Sequence, residues 1–164
     1  DYAVCFGVEP EIWQKAEDNQ YVPETSLTET EIRMPGGYLT IAQLIALLNT
    51  IPMEITFVDV DNINRFFNEG PKDFKRPGMA IDREVFSCHP PKIEATVRRI
   101  IGEFRAGALD EVPIWMDKNG KCMLVKYMAV RDKEGTYLGT LELVQDMGFA
   151  KEHFQKKEEK AELW

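Results

Sequence analysis

Residues 122–145 read CMLVKYMAVRDKEGTYLGTLELVQ, two apolar runs separated by a charged turn. Side chains alternate faces along a strand, so Cys122, Leu124, Met128 and Val130 share one face and Met123, Val125, Tyr127 and Ala129 the other. Between the runs, Asp132-Lys133-Glu134-Gly135 supplies the polar, glycine-ended composition of a tight reversal. The reading is therefore an antiparallel pair of strands, 122–131 and 137–145. Both parities of the first are apolar, whereas a sheet wet on one side alternates more cleanly. Something must cover part of the second face. Upstream, residues 112–116 lead into Asn119-Gly120, the strongest short hairpin signal, which extends the pair to a three-strand meander.

Before the meander lies a long helix. It starts near Pro91, carries Ile93, Val97, Ile100, Ile101 and Phe104 at helical spacing, and stops at Gly107. Residues 68–87 are broken by Asn68, Gly70, Pro71, Pro77 and Gly78 into short helical turns. Two short strands precede them, one with Ile55, Phe57 and Val58, the other with Ile63, Phe66 and Phe67. Val60-Asp61-Asn62 reverses the chain between the two. A further helix spans 40–48: Thr40 caps it, Gln43 completes the capping box, and Leu39 with Leu44 forms a staple. Its stripe of Ile41, Leu44, Ile45 and Leu48, broadened by Leu47, makes it the obvious cover for the second sheet face, from its own chain or a partner's. The expected organisation is an acidic upstream segment or linker at 1–37, a compact domain at 38–147, and a C-terminal helix or linker at 148–164. Pro35-Gly36-Gly37 reads as a breaker, and the run Lys156 to Lys160 as a solvated face or exit.

Composition narrows the function classes. The 164 residues are 44% apolar and 29% charged, with a net charge of −8. Residues 1–35 hold eight acidic side chains against Lys15 and Arg33, so that segment carries −6 of the total. The remainder is nearly balanced and has no basic track for a phosphate backbone, so no nucleic-acid partner is expected. No apolar run of about 18 residues is present to span a membrane. Cys5, Cys88 and Cys122 are widely spaced and odd in number, which fits reduced thiols in the cytoplasm and not a disulfide framework or four-thiolate zinc site. A chain opening on Asp1 reads as a piece of a longer protein.

The order of elements and several stretches together resemble a PAS domain. These stretches are Gly37-Tyr38-Leu39-Thr40, Ile55-Thr56-Phe57-Val58-Asp59, Arg65-Phe66-Phe67-Asn68, Cys88-His89-Pro90-Pro91, Tyr127 to Asp132 and Gly135 to Glu142. Cys88-His89-Pro90-Pro91 is the sharper sign of the subgroup found in bacterial proteins that also carry DUF438 and haemerythrin-like HHE modules. The resemblance implies an α/β (α+β) fold with a five-stranded antiparallel sheet, strand order 2-1-5-4-3, and helices across one face. It implies a sensory or signal-relay domain acting by ligand binding, dimerisation or both, and not an enzyme. Two alternatives stay open: a constitutive dimerisation or protein-interaction module without ligand, and a haem- or metal-binding redox sensor.

The pocket would lie between the helical middle and the sheet. Phe67, Met79, Phe86, Ile93, Val97 and Tyr127 are its candidate walls, with Ile101, Leu124 and Leu141 beside them. Asn68 and Arg131 are candidate polar contacts. Cys88 and His89 are either caps of the long helix or pocket contacts; a thiol beside an imidazole is also a metal-ligand pairing in principle, but two ligands do not close a site. Haem-binding relatives use a histidine on the long helix, where this chain has Glu94 and Ala95. The Asn-Cys-Arg-Phe signature of flavin photosensors is absent, and there is no glycine-rich phosphate loop. No cofactor is expected. A homodimer is expected through Ile41, Leu44, Ile45, Leu47, Leu48 and the outer sheet face.

Overall fold

The computed structural model describes residues 29–70, 72–74, 80–89 and 91–161. Two four-residue strands, β1 (Glu31–Met34) and β2 (Gly37–Thr40), form a hairpin that runs directly into helix α1 (Ile41–Thr50). Strands β3 (Glu54–Asp59) and β4 (Asn64–Phe67) follow. A 3-10 turn (Val85–Cys88) then leads to the long helix α2 (Pro91–Ala106), and β5 (Glu111–Lys118), β6 (Lys121–Arg131) and β7 (Tyr137–Asp146) form the meander. Helix α3 (Gly148–Ala161) leaves the last strand. The five strands lie in the order β4-β3-β7-β6-β5, all antiparallel. Counted from β3, that is the expected order 2-1-5-4-3.

Local chemistry fixes most of these elements. Thr40 and Gln43 form the capping box reciprocally, Gln43 N–H to Thr40 Oγ1 at 3.1 Å and Thr40 N–H to Gln43 Oε1 at 2.9 Å. Asn119 and Gly120 both adopt positive φ, 52° and 77°, as a two-residue hairpin turn requires. At the second reversal, Asp132 Oδ1 accepts from the N–H groups of Glu134 and Thr136. The hairpin β1–β2 was not expected: Pro35-Gly36 turns the chain instead of ending a linker, and the structured unit crosses residue 37.

The β3–β4 turn rests on Asp59. Its Oδ1 accepts from the Asp61 and Ile63 amides and its Oδ2 from Arg65. Burial would raise this carboxyl, but the Arg65 guanidinium and the two amides outweigh it and hold it below the usual carboxylate range. A depressed folded-state value means stability that is present above the unfolded-state value and lost as pH falls through the folded one. Asp59→Asn is therefore expected to cost about 1–2 kcal/mol at neutral pH. The loss should shrink towards zero in acid, as read by urea unfolding across that range.

One sheet face is packed by helix and loop. Its side chains are Glu54, Thr56 and Val58 from β3, Thr140, Glu142 and Val144 from β7, and Met123, Val125, Tyr127 and Ala129 from β6. Under α2, Ile100 and Phe104 pack with Tyr137, while Val97 and Ile101 pack with Val58, Val85 and Phe86. At the other end Phe74 closes over Met123, Val125 and Val144. Helix α1 does not behave as an intrachain lid. None of its ten residues is buried, and Ile45 and Leu47 are 41% and 48% exposed.

Candidate functional site: a cavity between helix α2 and the sheet

A cavity of about 20 Å³ lies between α2, the 3-10 turn and the packed sheet face, room for about one water-sized molecule. Val58, Val85, Val97, Ile100 and Ile101 form its apolar walls; His89, Tyr127, Thr140 and Glu142 supply polar groups. Each arrives for a stated reason. The register pairs Tyr127 with Glu142 and Ala129 with Thr140, so three alternate positions on two strands project to one side. Val97, Ile100 and Ile101 share the stripe of α2 that faces the sheet. His89 ends the 3-10 turn, with Nδ1 2.6 Å from the Val85 carbonyl. That carbonyl can only accept, so Nδ1 carries a proton and donates it. Thr140 Oγ1 and the Tyr137 hydroxyl share a hydrogen bond of 2.8 Å.

The sequence candidates scatter around this cavity. Val97, Tyr127 and His89 line it. Phe86 is buried one layer away, with the Arg98 guanidinium 3.8 Å from its ring centre, and Ile93 is 40% exposed on α2. Phe67 pairs with Thr56 at the sheet edge. Met79 and the side chain of Cys88 lie outside the described residues. Asn68 is 2% exposed and spends its amide on backbone: Oδ1 accepts from Ile55 N–H, and Nδ2 donates to the Leu48 and Met53 carbonyls. Arg131 does likewise, giving Nη2–H to the Phe104 carbonyl at the end of α2 and Nε–H to Asp110. Leu124 and Leu141 belong to the opposite face, because they have the other parity from Tyr127 and Glu142. Thr140 and Glu142 were missed as lining residues; the alternation of 137–145 held the signal, once its phase relative to Tyr127 was known.

A second cavity of about 290 Å³ opens at the far end of the same face. It lies between the α1–β3 link and Glu69, Gly70, Lys72 and Asp73, over Met123 and Val144. Glu54, buried there, accepts from the Asp73 amide at 2.5 Å and the Phe74 amide at 3.3 Å, which holds Phe74 in the core. Lys121 bridges Asp73 and Asp146 across the mouth. Among the described residues no three His, Cys, Asp or Glu side chains are grouped to hold a metal ion, and no helix is long and apolar enough to cross a membrane.

A five-stranded antiparallel sheet with helical elements over one face and a cavity beneath them defines a PAS-like α/β fold. Comparison with known proteins makes the assignment specific. Residues 44–148 match the PAS domain family. The C-terminal domain of a Streptococcus mutans protein is 37% identical, with 76% of this chain and 98% of that one covered at a TM-score of 0.73. A PAS domain from Colwellia psychrerythraea is 15% identical over 66% of this chain and 97% of its own, TM-score 0.47. Vibrio cholerae VqmA, crystallised with ligand and DNA, is 20% identical over 66% and 51%, TM-score 0.48. No curated protein matches. The chain belongs to the PAS domain family. PAS domains are non-catalytic sensory modules.

Proposed function

We infer that the chain is a cytoplasmic sensing and relay domain of a larger bacterial protein, of the subgroup associated with DUF438 and HHE modules. In this reading, occupancy of the cavity beneath α2 is reported through a homodimer and the C-terminal helix. The carrying observation is the layout beneath α2: four polar side chains from the sheet and the 3-10 turn converge on an apolar wall, around a space that holds about one water-sized molecule and must widen to admit a ligand. Cys88-His89-Pro90-Pro91 supports the subgroup, and the domain proper is taken as 38–147, with 1–37 and 148–164 as flanking segments. Native mass spectrometry of freshly purified protein is expected to show a small bound mass that Val97→Trp removes. The protein is expected to be colourless. A stoichiometric haem band abolished by His89→Ala would replace this reading with a haem sensor.

The dimer is supported by what the described residues leave uncovered. Helix α1 has no buried residue, and the outer sheet face presents Leu124, Met128, Leu141 and Leu143, none of them buried, beside Trp115 at 60% exposure. A soluble monomer rarely keeps so continuous an apolar surface wet. We propose that Ile41, Leu44, Ile45, Leu47 and Leu48 of one copy pack with the outer face of a second. Sedimentation should show a dimer at micromolar concentration, and Leu44→Glu or Leu47→Glu should give a folded monomer, because a charge desolvated without a partner costs several kcal/mol. A monomeric wild type would remove the dimer from the reading.

A further inference from the structure

Asp73 and Phe74 are held on the packed sheet face as a bound molecule would be. Glu54, 6% exposed on β3, accepts from both of their amides with one carboxylate oxygen. Lys121 on β6 donates to the Asp73 carboxylate at 2.7 Å. The Phe74 ring is buried against Met123, Val125 and Val144, and the Lys118 ammonium of β5 stands 3.5 Å from its centre. Side chains of β3, β5, β6 and β7 thus recognise the amides, the carboxylate and the ring of two successive residues.

One of these contacts is incomplete. Lys118 Nζ is buried and has no hydrogen-bond partner among the described residues. The ring of Phe74 attracts the ammonium electrostatically but offers no lone pair in its plane of approach for the N–H groups. Buried donors are nearly always satisfied, so an acceptor belongs here. Lys121 stands directly opposite Lys118 on the β5–β6 hairpin, so two cations rise side by side from one face. Tyr127 packs against the Phe74 cluster and also lines the cavity beneath α2, so the seat of Phe74 and that cavity share a wall. The cavity of about 290 Å³ shares Met123, Val144, Glu54 and Asp73 with the seat and opens it towards solvent.

We propose that Asp73-Phe74 is an internal stand-in for the ligand of this domain, and that the ligand is a small aromatic carboxylate. Its ring takes the place of the Phe74 ring, and its carboxylate accepts from Lys118 Nζ and Lys121 Nζ. A tethered stand-in competes at high effective concentration. An outside molecule displaces it only by interacting better with the seat, and the acceptor that Lys118 lacks is that advantage. Departure of the Phe74 ring past Tyr127 is then the widening that the space beneath α2 needs. This rests on the sensory reading given above.

The test titrates the full chain with phenylacetate and its isostere phenylacetamide at matched ionic strength, followed by amide NMR. Phenylacetate is expected to shift the signals of Phe74, Lys118, Met123 and Val144 in a saturable manner. Phenylacetamide should bind about tenfold more weakly, the worth of one charge-assisted hydrogen bond. Lys118→Met keeps the apolar stem and should make the two probes equal. Phe74→Ala removes the competing ring and should tighten phenylacetate. Asp73→Asn, which weakens only the pair with Lys121, should tighten it as well in a protein whose core is intact. No saturable shift with phenylacetate in the wild type would overturn the proposal. So would equal binding of the two probes by the wild type, or a preference that survives Lys118→Met. Weaker binding by Asp73→Asn than by the wild type would overturn the stand-in, because Asp73 would then be part of the site and not its competitor. The sensory reading is decided separately, by the bound mass that Val97→Trp removes.

Discussion

Asn68→Asp is expected to destabilise the protein by about 3–5 kcal/mol at neutral pH, although it changes one atom for another of nearly equal size. The amide ties the end of α1 to the start of β3 by donating to the Leu48 and Met53 carbonyls, 3.0 and 2.9 Å away. A carboxylate has no proton for either, and it would hold a charge at a side chain that is 2% exposed. Lys72, 3.2 Å from Oδ1, offsets only part of that. The introduced acid gains most by remaining protonated, so its folded-state pKa must rise above the unfolded value. Stability is then retained below the unfolded value near 4 and lost as pH rises from there through the folded value, opposite in sign to the Asp59 contribution. Urea unfolding near pH 4 and pH 7 measures both ends; equal losses at the two would show that the site is open to water.

Gly139→Ala should cost about 3 kcal/mol or more and behave as a core defect despite adding a single methyl group. The Phe57 ring and the Val58 carbonyl of the neighbouring strand approach this residue so closely that a Cβ would overlap both. The pair β3–β7 would have to part at the centre of the sheet, beside the cavity lined by Val58 and Thr140. Thermal unfolding of the variant checks the size of the loss. Amide exchange should show it spreading along β3 and β7 before β5, which is two strands away from β7.

Much of this architecture was legible because its signals are local. Thr40 with Gln43, Asn119 with Gly120 and Asp132 with its two following amides each specify a turn or cap within five residues. The apolar runs 122–131 and 137–145 carried the meander, and the resemblance to PAS domains carried the sheet order. The hairpin β1–β2 was missed because four-residue strands of mixed polarity show no period long enough to read, and Pro35-Gly36-Gly37 suits a linker as well as a turn. The site was less legible, and for a different reason. Leu124 could not share a wall with Tyr127, because the two have opposite parity on one strand; placing Leu141 required the phase between two strands, and irregular register at Val130/Arg131 shifts that phase. Asn68 and Arg131 looked like ligand contacts because they are polar among apolar neighbours. Their real partners are carbonyls at the ends of α1 and α2 and in the link before β3, and no side-chain pattern announces which carbonyls lack donors.

The junction after β7 has a mechanical consequence. Asp146 Oδ1 accepts from Gly148 N–H, and the Met147 amide bonds the Cys122 carbonyl at 2.7 Å, so α3 starts with no slack between strand and helix. Its 14 residues make a rod about 21 Å long. Rocking the base of such a rod by about 10° sweeps its tip through about 4 Å. In the proposed relay the helix is a lever with its fulcrum on the strand pair that carries Tyr127, Thr140 and Glu142. A glycine pair inserted between Met147 and Gly148 would leave the cavity intact and disconnect the handle.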